Sequence, residues 1–262
     1  MIENFFVICS SIEWRTKVVR MKTEIVVDNL CHLNEALKYD IDRIELCSAL
    51  DLGGLTPDYH FVEYAASLHN DVHVLIRPRQ GNFLYSDIEK KNIESNIDVF
   101  AKLGVKGVVF GALDKNNDID YTFVKIMSER CKTYGLEATF NRAFDFSNDY
   151  EKSLDILEHL CFHRVLTAGC KTIFNDGVEK VKNIVDFTSN YNLGIIAAGS
   201  ICVDNMQQIV NERIKVESIH FQVRKKQSDS AHFGVEYTFN DSIINEMSKL
   251  VSTIKRGPMD KV

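Results

Sequence analysis

Glu45 and Cys47 stand two residues apart in RIELCSALDLGGLTP (residues 43–57), at the end of a short apolar run. In an extended chain that spacing turns both side chains to one face. A carboxylate able to take or give a proton then lies beside a soft sulfur donor. Gly53 and Gly54 follow, and glycine tolerates the positive φ needed to fold a loop back over that face. Thr56 and Pro57 then read as a helix start. Further on, LIRPRQGNFLYSD places Arg77 and Arg79 on either side of Pro78. Guanidinium forks match carboxylate or phosphate bidentately, and the proline stiffens their presentation. Arg79 also reads as a loop residue bonded to backbone carbonyls.

Other apolar runs end in comparable polar groups. Asn141, Arg142 and Asp145 follow EATF (137–140), and Ala168, Gly169 and Cys170 follow HRVLT (163–167). Gly199 and Ser200 follow GIIAA (194–198), just before a helix start near Asp204, a place where barrels bind phosphate. Glu24 occupies an early position in TEIVV (23–27), and His220 lies inside ESIHF (217–221). His220 reads either as a satisfied core histidine or as an acid, base or ligand. Cys47 and Cys170 read as small buried hydrophobes. Brought together with His220, they would offer sulfur and nitrogen donors suited to Cu(I). No Ser-His-Asp order and no H-E-x-x-H signature occurs.

Eight strand-like runs must position these groups: TEIVV, RIEL (43–46), VHVLIR (72–77), GVVF (107–110), EATF, HRVLT, GIIAA and ESIHF. Between them lie amphipathic stretches such as DIEKKNIESNIDVFAKLG (87–104), where Ile88, Ile93, Ile97 and Phe100 keep to one side and Gly104 stops the helix. Ser86, Asp120, Asp176 and Asp204 read as helix-start caps. Strands alternating with helices imply parallel pairing and right-handed crossovers. Eight such units predict an α/β protein with a single (β/α)8 TIM-type barrel, an open doubly wound sheet being the competitor.

Barrel enzymes work at the C-terminal ends of their strands. On that basis Glu24, Arg77, Arg79, Asn141, Arg142, Asp145, Gly199 and Ser200 are assigned to binding a small anion, and Glu45 and His220 to acid–base chemistry. The structural alternative is a buried ion network in which Glu24 and Glu45 neutralise Arg77 and Arg142.

Composition excludes several classes. The 262 residues carry a net charge of −6, so no basic surplus exists to hold nucleic acid, and Arg224-Lys225-Lys226 is too short to change that. Seven cysteines without a C-x-x-C pair argue against a disulfide framework or zinc ribbon and for reduced thiols in the cytosol. No apolar run approaches the ~20 residues of a membrane span. Residues 1–20 lack a secretion signal and are expected to be an extension outside the fold, with residues 21–262 forming one domain.

The blocks RIELCSALDLGGLTP, LIRPRQGNFLYSD, GVVFGALDKNNDID, FNRAFD and RVLTAGC, with the strand-borne His220, closely resemble the CutC family, named for copper homeostasis. The resemblance runs from about Thr23 to His220. It implies a cytoplasmic (β/α)8 barrel, a homo-oligomer (dimer or tetramer), and a role in copper handling with copper as the ligand. The matching mouth positions are Glu24, Glu45, Cys47, Arg77, Arg79, Arg142, Asp145 and His220. This chain departs from the pattern at Asn141, where many members have His, and at Val26, where some carry Cys. It also has Phe221, Gln222, Val223 and Arg224 where small or Cys/Ser residues are expected. Copper held by cysteine would then rest on Cys47, with Cys170 as the other thiol.

Overall fold

Eight short runs of β-branched and apolar residues become eight parallel strands: β1 (Lys22–Val27), β2 (Arg43–Leu46), β3 (Val72–Leu75), β4 (Gly107–Phe110), β5 (Glu137–Phe140), β6 (Arg164–Thr167), β7 (Gly194–Ala197) and β8 (Ser218–Gln222). Each pairs with its successor, and β8 returns to β1, closing the barrel. The expected (β/α)8 fold is therefore the observed one. The structure, a computed structural model, describes residues 21–227 and 235–255. The expected extension over residues 1–20 lies outside the described residues. No helix among them is long and apolar enough to cross a membrane.

The strands are covered by α1 (Leu30–Ala36), α2 (Tyr59–Leu68), α3 (Asp87–Ala101), α4 (Tyr121–Tyr134), α5 (Tyr150–His159), α6 (Phe174–Phe187), α7 (Val203–Asn211) and α8 (Asp241–Lys255). In α3 the Glu89 carboxylate accepts from the Ser86 backbone N–H, the reciprocal half of a capping box. Ile93, Ile97 and Phe100 are buried, but Ile88 is 77% exposed. It sits in the first turn, off the stripe that meets the barrel. Asp120 caps α4 through the Phe123 N–H. Asp176 and Asp204, expected as caps, lie in the first turns of their helices, three residues after the cap Ile173 and two after the cap Cys202, where a carboxylate still complements the helix dipole. The cap of α2 is Asp58, which accepts from His60 and Phe61. Thr56 instead accepts from the Arg77 N–H.

Alternation along the strands divides the core in two. Outward residues such as Ile25, Leu46, Val74, Val108 and Phe110 pack with the helices in one large cluster. The residues between them turn inward and form two small apolar clusters, Val26, Cys47, Leu75 and Val109 on one side and Leu166, Ile196 and Ala198 on the other. The rest of the inward face is polar. After β8, β9 (Arg224–Lys226) and β10 (Tyr237–Phe239) form an antiparallel ribbon. Arg224 ties it to the loops after β1 and β2, reaching Asp28 at 3.0 Å and Asp51 at 2.9 Å with its guanidinium over the Tyr237 ring.

Candidate functional site

Barrel closure puts Glu24 on β1 between Arg43 on β2 and His220 on β8, its partners in register on either side. Glu24 divides its carboxylate between them. Oε1 lies 2.6 Å from His220 Nδ1, and Oε2 accepts from Arg43 Nη1 at 3.1 Å. Glu45, inward on β2, brings its Oε2 to 3.8 Å from the same His220 nitrogen. Glu24, Glu45 and Arg43 are buried, and His220 is nearly so. Glu45 Oε2 is buried with no hydrogen-bond partner.

The electrostatics differ sharply within this trio. Burial works to raise the Glu24 pKa, but the His220 hydrogen bond and the Arg43 charge hold it down to about 2. Burial pushes Glu45 up to about 7 against the pull of His220, with Glu24's charge adding to the rise. Burial disfavours the His220 cation, yet the Glu45 and Glu24 carboxylates raise its pKa overall. Glu24 is thus a fixed anion, while Glu45, pushed up to about 7, is the carboxyl of the trio able to exchange a proton near neutrality.

Beneath the trio, at the N-terminal ends of the strands, lies an ion network the sequence reading did not identify. Arg43 also meets Asp71 at 3.2 Å and Glu217 at 3.5 Å. Arg164 meets Glu137 at 2.6 Å and Glu217 at 3.3 Å. His73 lies 3.1 Å from Asp71. The signal was available at Arg43, which stands two residues before Glu45 and shares its inward face.

The other expected residues do not converge on the trio. Arg77 donates to the carbonyls of Leu52, Gly54 and Gly81 at 2.9–3.1 Å, pinning the loop after β2 to the loop after β3. Arg79 pairs with Glu89 at 2.6 Å and donates to the carbonyls of Gln80, Asn82 and Leu84. Glu24 is therefore neutralised by Arg43, and Glu45 meets His220, rather than Arg77 and Arg142. Arg142 pairs with Asp145 at 2.8 Å and donates to the carbonyls of Lys171 and Thr172, although its charge is felt at His220.

Asp145 staples the loops after β5 and β6, accepting from Thr167 Oγ1 and the N–H groups of Ala168 and Cys170. Asn141 caps the 3-10 turn Arg142–Phe146 by accepting from Ala143. Gly199 holds φ +94°, and a Cβ there would come within 2.6 Å of the Ala168 methyl. Ser200 beside it is exposed.

Cys47 is buried among Val26, Leu75 and Val109. Burial, then the charges of Glu45 and Asp28, push its thiol well above the usual range. The Cys170 thiol is pushed up to about 11, first by burial and then by Asp145. Among the described residues, the one group of three His, Cys, Asp or Glu donors close enough to share an ion is Glu24, Glu45 and His220. Neither cysteine belongs to it. Cys47, Cys170 and His220 therefore do not come together as the sulfur and nitrogen donor set that Cu(I) favours.

A family model described as the CutC family matches residues 21–224. The chain is 37% identical over 242 residues to a CutC family protein of Glaesserella parasuis serovar 5 (strain SH0165), covering 90% of this chain and 98% of the relative. It is 33% identical over 244 residues to one from Vibrio campbellii (strain ATCC BAA-1116), covering 87% and 98%. A solved CutC structure from Streptococcus agalactiae, named for copper homeostasis, superposes with TM-score 0.70 at 31% identity, covering 77% of this chain and 98% of that one.

Proposed function

Because this chain belongs to the CutC family, we propose that it acts in copper homeostasis in the cytoplasm, through the inner trio Glu24, Glu45 and His220 rather than through a cysteine-held Cu(I). The family match supports the role. The observation that carries the choice of site is the position of the trio, a buried, charged group on three neighbouring strands of a barrel. The test is copper tolerance in a host lacking its own copy of the gene. Wild type and Cys47→Ala are expected to restore tolerance, and Glu45→Gln is not. A Cu(I) competition titration under oxygen-free, reducing conditions accompanies it. Tight stoichiometric Cu(I) lost in Cys47→Ala would overturn the choice of site.

A second reading, an enzyme acting on a small anionic metabolite, is favoured by one observation: Glu45 sits at about 7 beside His220. A carboxyl poised near neutrality beside an imidazole suits general acid–base work. Of the arginines first assigned to the anion, Arg142 is the one whose charge reaches His220. Turnover of a carboxylated or phosphorylated metabolite abolished in Glu45→Gln would establish it.

A further inference from the structure

We infer that the inner trio is a site for a divalent cation of borderline to hard character, such as Zn(II) or Mn(II). This deepens the reading above, since it rests on the trio being the working site. The donor atoms of Glu24, Glu45 and His220 all lie within 4.8 Å of one another. Two carboxylate oxygens and one imidazole nitrogen suit divalent ions, whereas Cu(I) is served by sulfur.

A second observation points the same way independently of donor count. Glu45 Oε2 is buried, has no hydrogen-bond partner and is aimed at the trio, 3.8 Å from His220 Nδ1. A buried carboxylate oxygen without a partner is costly to maintain, and a cation between Glu45 and Glu24 satisfies it. Arg43 supports this arrangement from outside. By holding Glu24 Oε2 at 3.1 Å it leaves Oε1 presented inward, the orienting role that outer residues play around metal ligands. The apolar residues Val26, Leu75 and Val109 line the same inner face together with Cys47, whose sulfur is not among the donors close enough to share an ion.

Glu24 Oε1 and His220 Nδ1 already meet at 2.6 Å, so that closed contact and a cation seated between the donors are alternatives. Isothermal titration of the chelator-treated full chain with ZnCl2 and with MnCl2 decides between them. The expected result is one equivalent bound by wild type and by Cys47→Ala, with affinity lowered at least tenfold in Glu45→Gln and in His220→Gln. A raised melting temperature of wild type in the presence of the ion is the second readout, and the rise should vanish in Glu45→Gln. Binding of neither ion overturns the proposal and leaves the trio to proton chemistry. Binding that is indifferent to Glu45→Gln overturns it too. The titration is separate from the tolerance assay: a chain that binds the ion but fails to restore copper tolerance sinks the homeostasis reading alone.

Discussion

Arg43 Nη1 stands 3.1 Å from Glu24 Oε2, with both side chains almost wholly out of solvent. A buried charge is tolerated only while it is paired, and this contact joins the trio above to the ion network below. Arg43→Met should therefore cost about 3–5 kcal/mol by urea denaturation, because it removes the cation that Glu24, Asp71 and Glu217 share. Arg43→Lys should recover part of the loss. A neutral result for Arg43→Met would mean that the network contributes nothing net.

Acid should weaken the protein through the same network. Burial alone would raise the Glu137 pKa, but Arg164 and then His73 hold it at about 2, below the ordinary 4.5. A depressed carboxylate stabilises the folded state above its unfolded pKa and loses that contribution as pH falls through the folded one. The urea midpoint should thus fall steadily between about pH 5 and pH 2, Glu137 contributing at most about 3 kcal/mol. Arg164→Met should be less stable at pH 7 and flatter with pH. A midpoint that holds constant down to pH 3 would contradict this.

Cys47 should be chemically silent in the native protein. It is buried while Cys31 and Cys202 are exposed, and its thiol is held protonated, first by burial. Reaction with iodoacetamide at pH 8, followed by peptide mapping, should modify Cys31 and Cys202 first and reach Cys47 only after unfolding. Labelling of Cys47 at the rate of Cys31 would show that the inner face opens readily.

Asp145 should matter for stability rather than for ligand binding. Its carboxylate accepts from Thr167, Ala168 and Cys170 and pairs with Arg142. Asp145→Ala should destabilise by about 3–5 kcal/mol, while the folded fraction retains the wild-type affinity of the trio for Zn(II) or Mn(II). Lost affinity in a well-folded variant would return Asp145 to the site.

The eight strands were legible because each is a run of apolar, β-branched residues between amphipathic stretches, and that pattern is local. Ile88 misled because helical spacing marks a face without saying where the helix leaves the barrel. Arg77 and Arg79 misled for a related reason. A guanidinium near glycines and loop carbonyls can serve an incoming anion or the chain itself, and only the loop path, with Gly54 and Gly81 presenting their carbonyls, decides which.

The sequence by itself determined which side chains share a face, because alternation along a strand is fixed by backbone geometry: Arg43, Glu45 and Cys47 stand on one side whatever surrounds them. It also determined the family, through motifs spread along most of the chain. The tertiary structure alone decided the partners. Glu24 and His220 are 196 residues apart and become neighbours only when β8 closes against β1. That closure turns three scattered titratable residues into one buried cluster, and it commits the arginines expected there to holding loops.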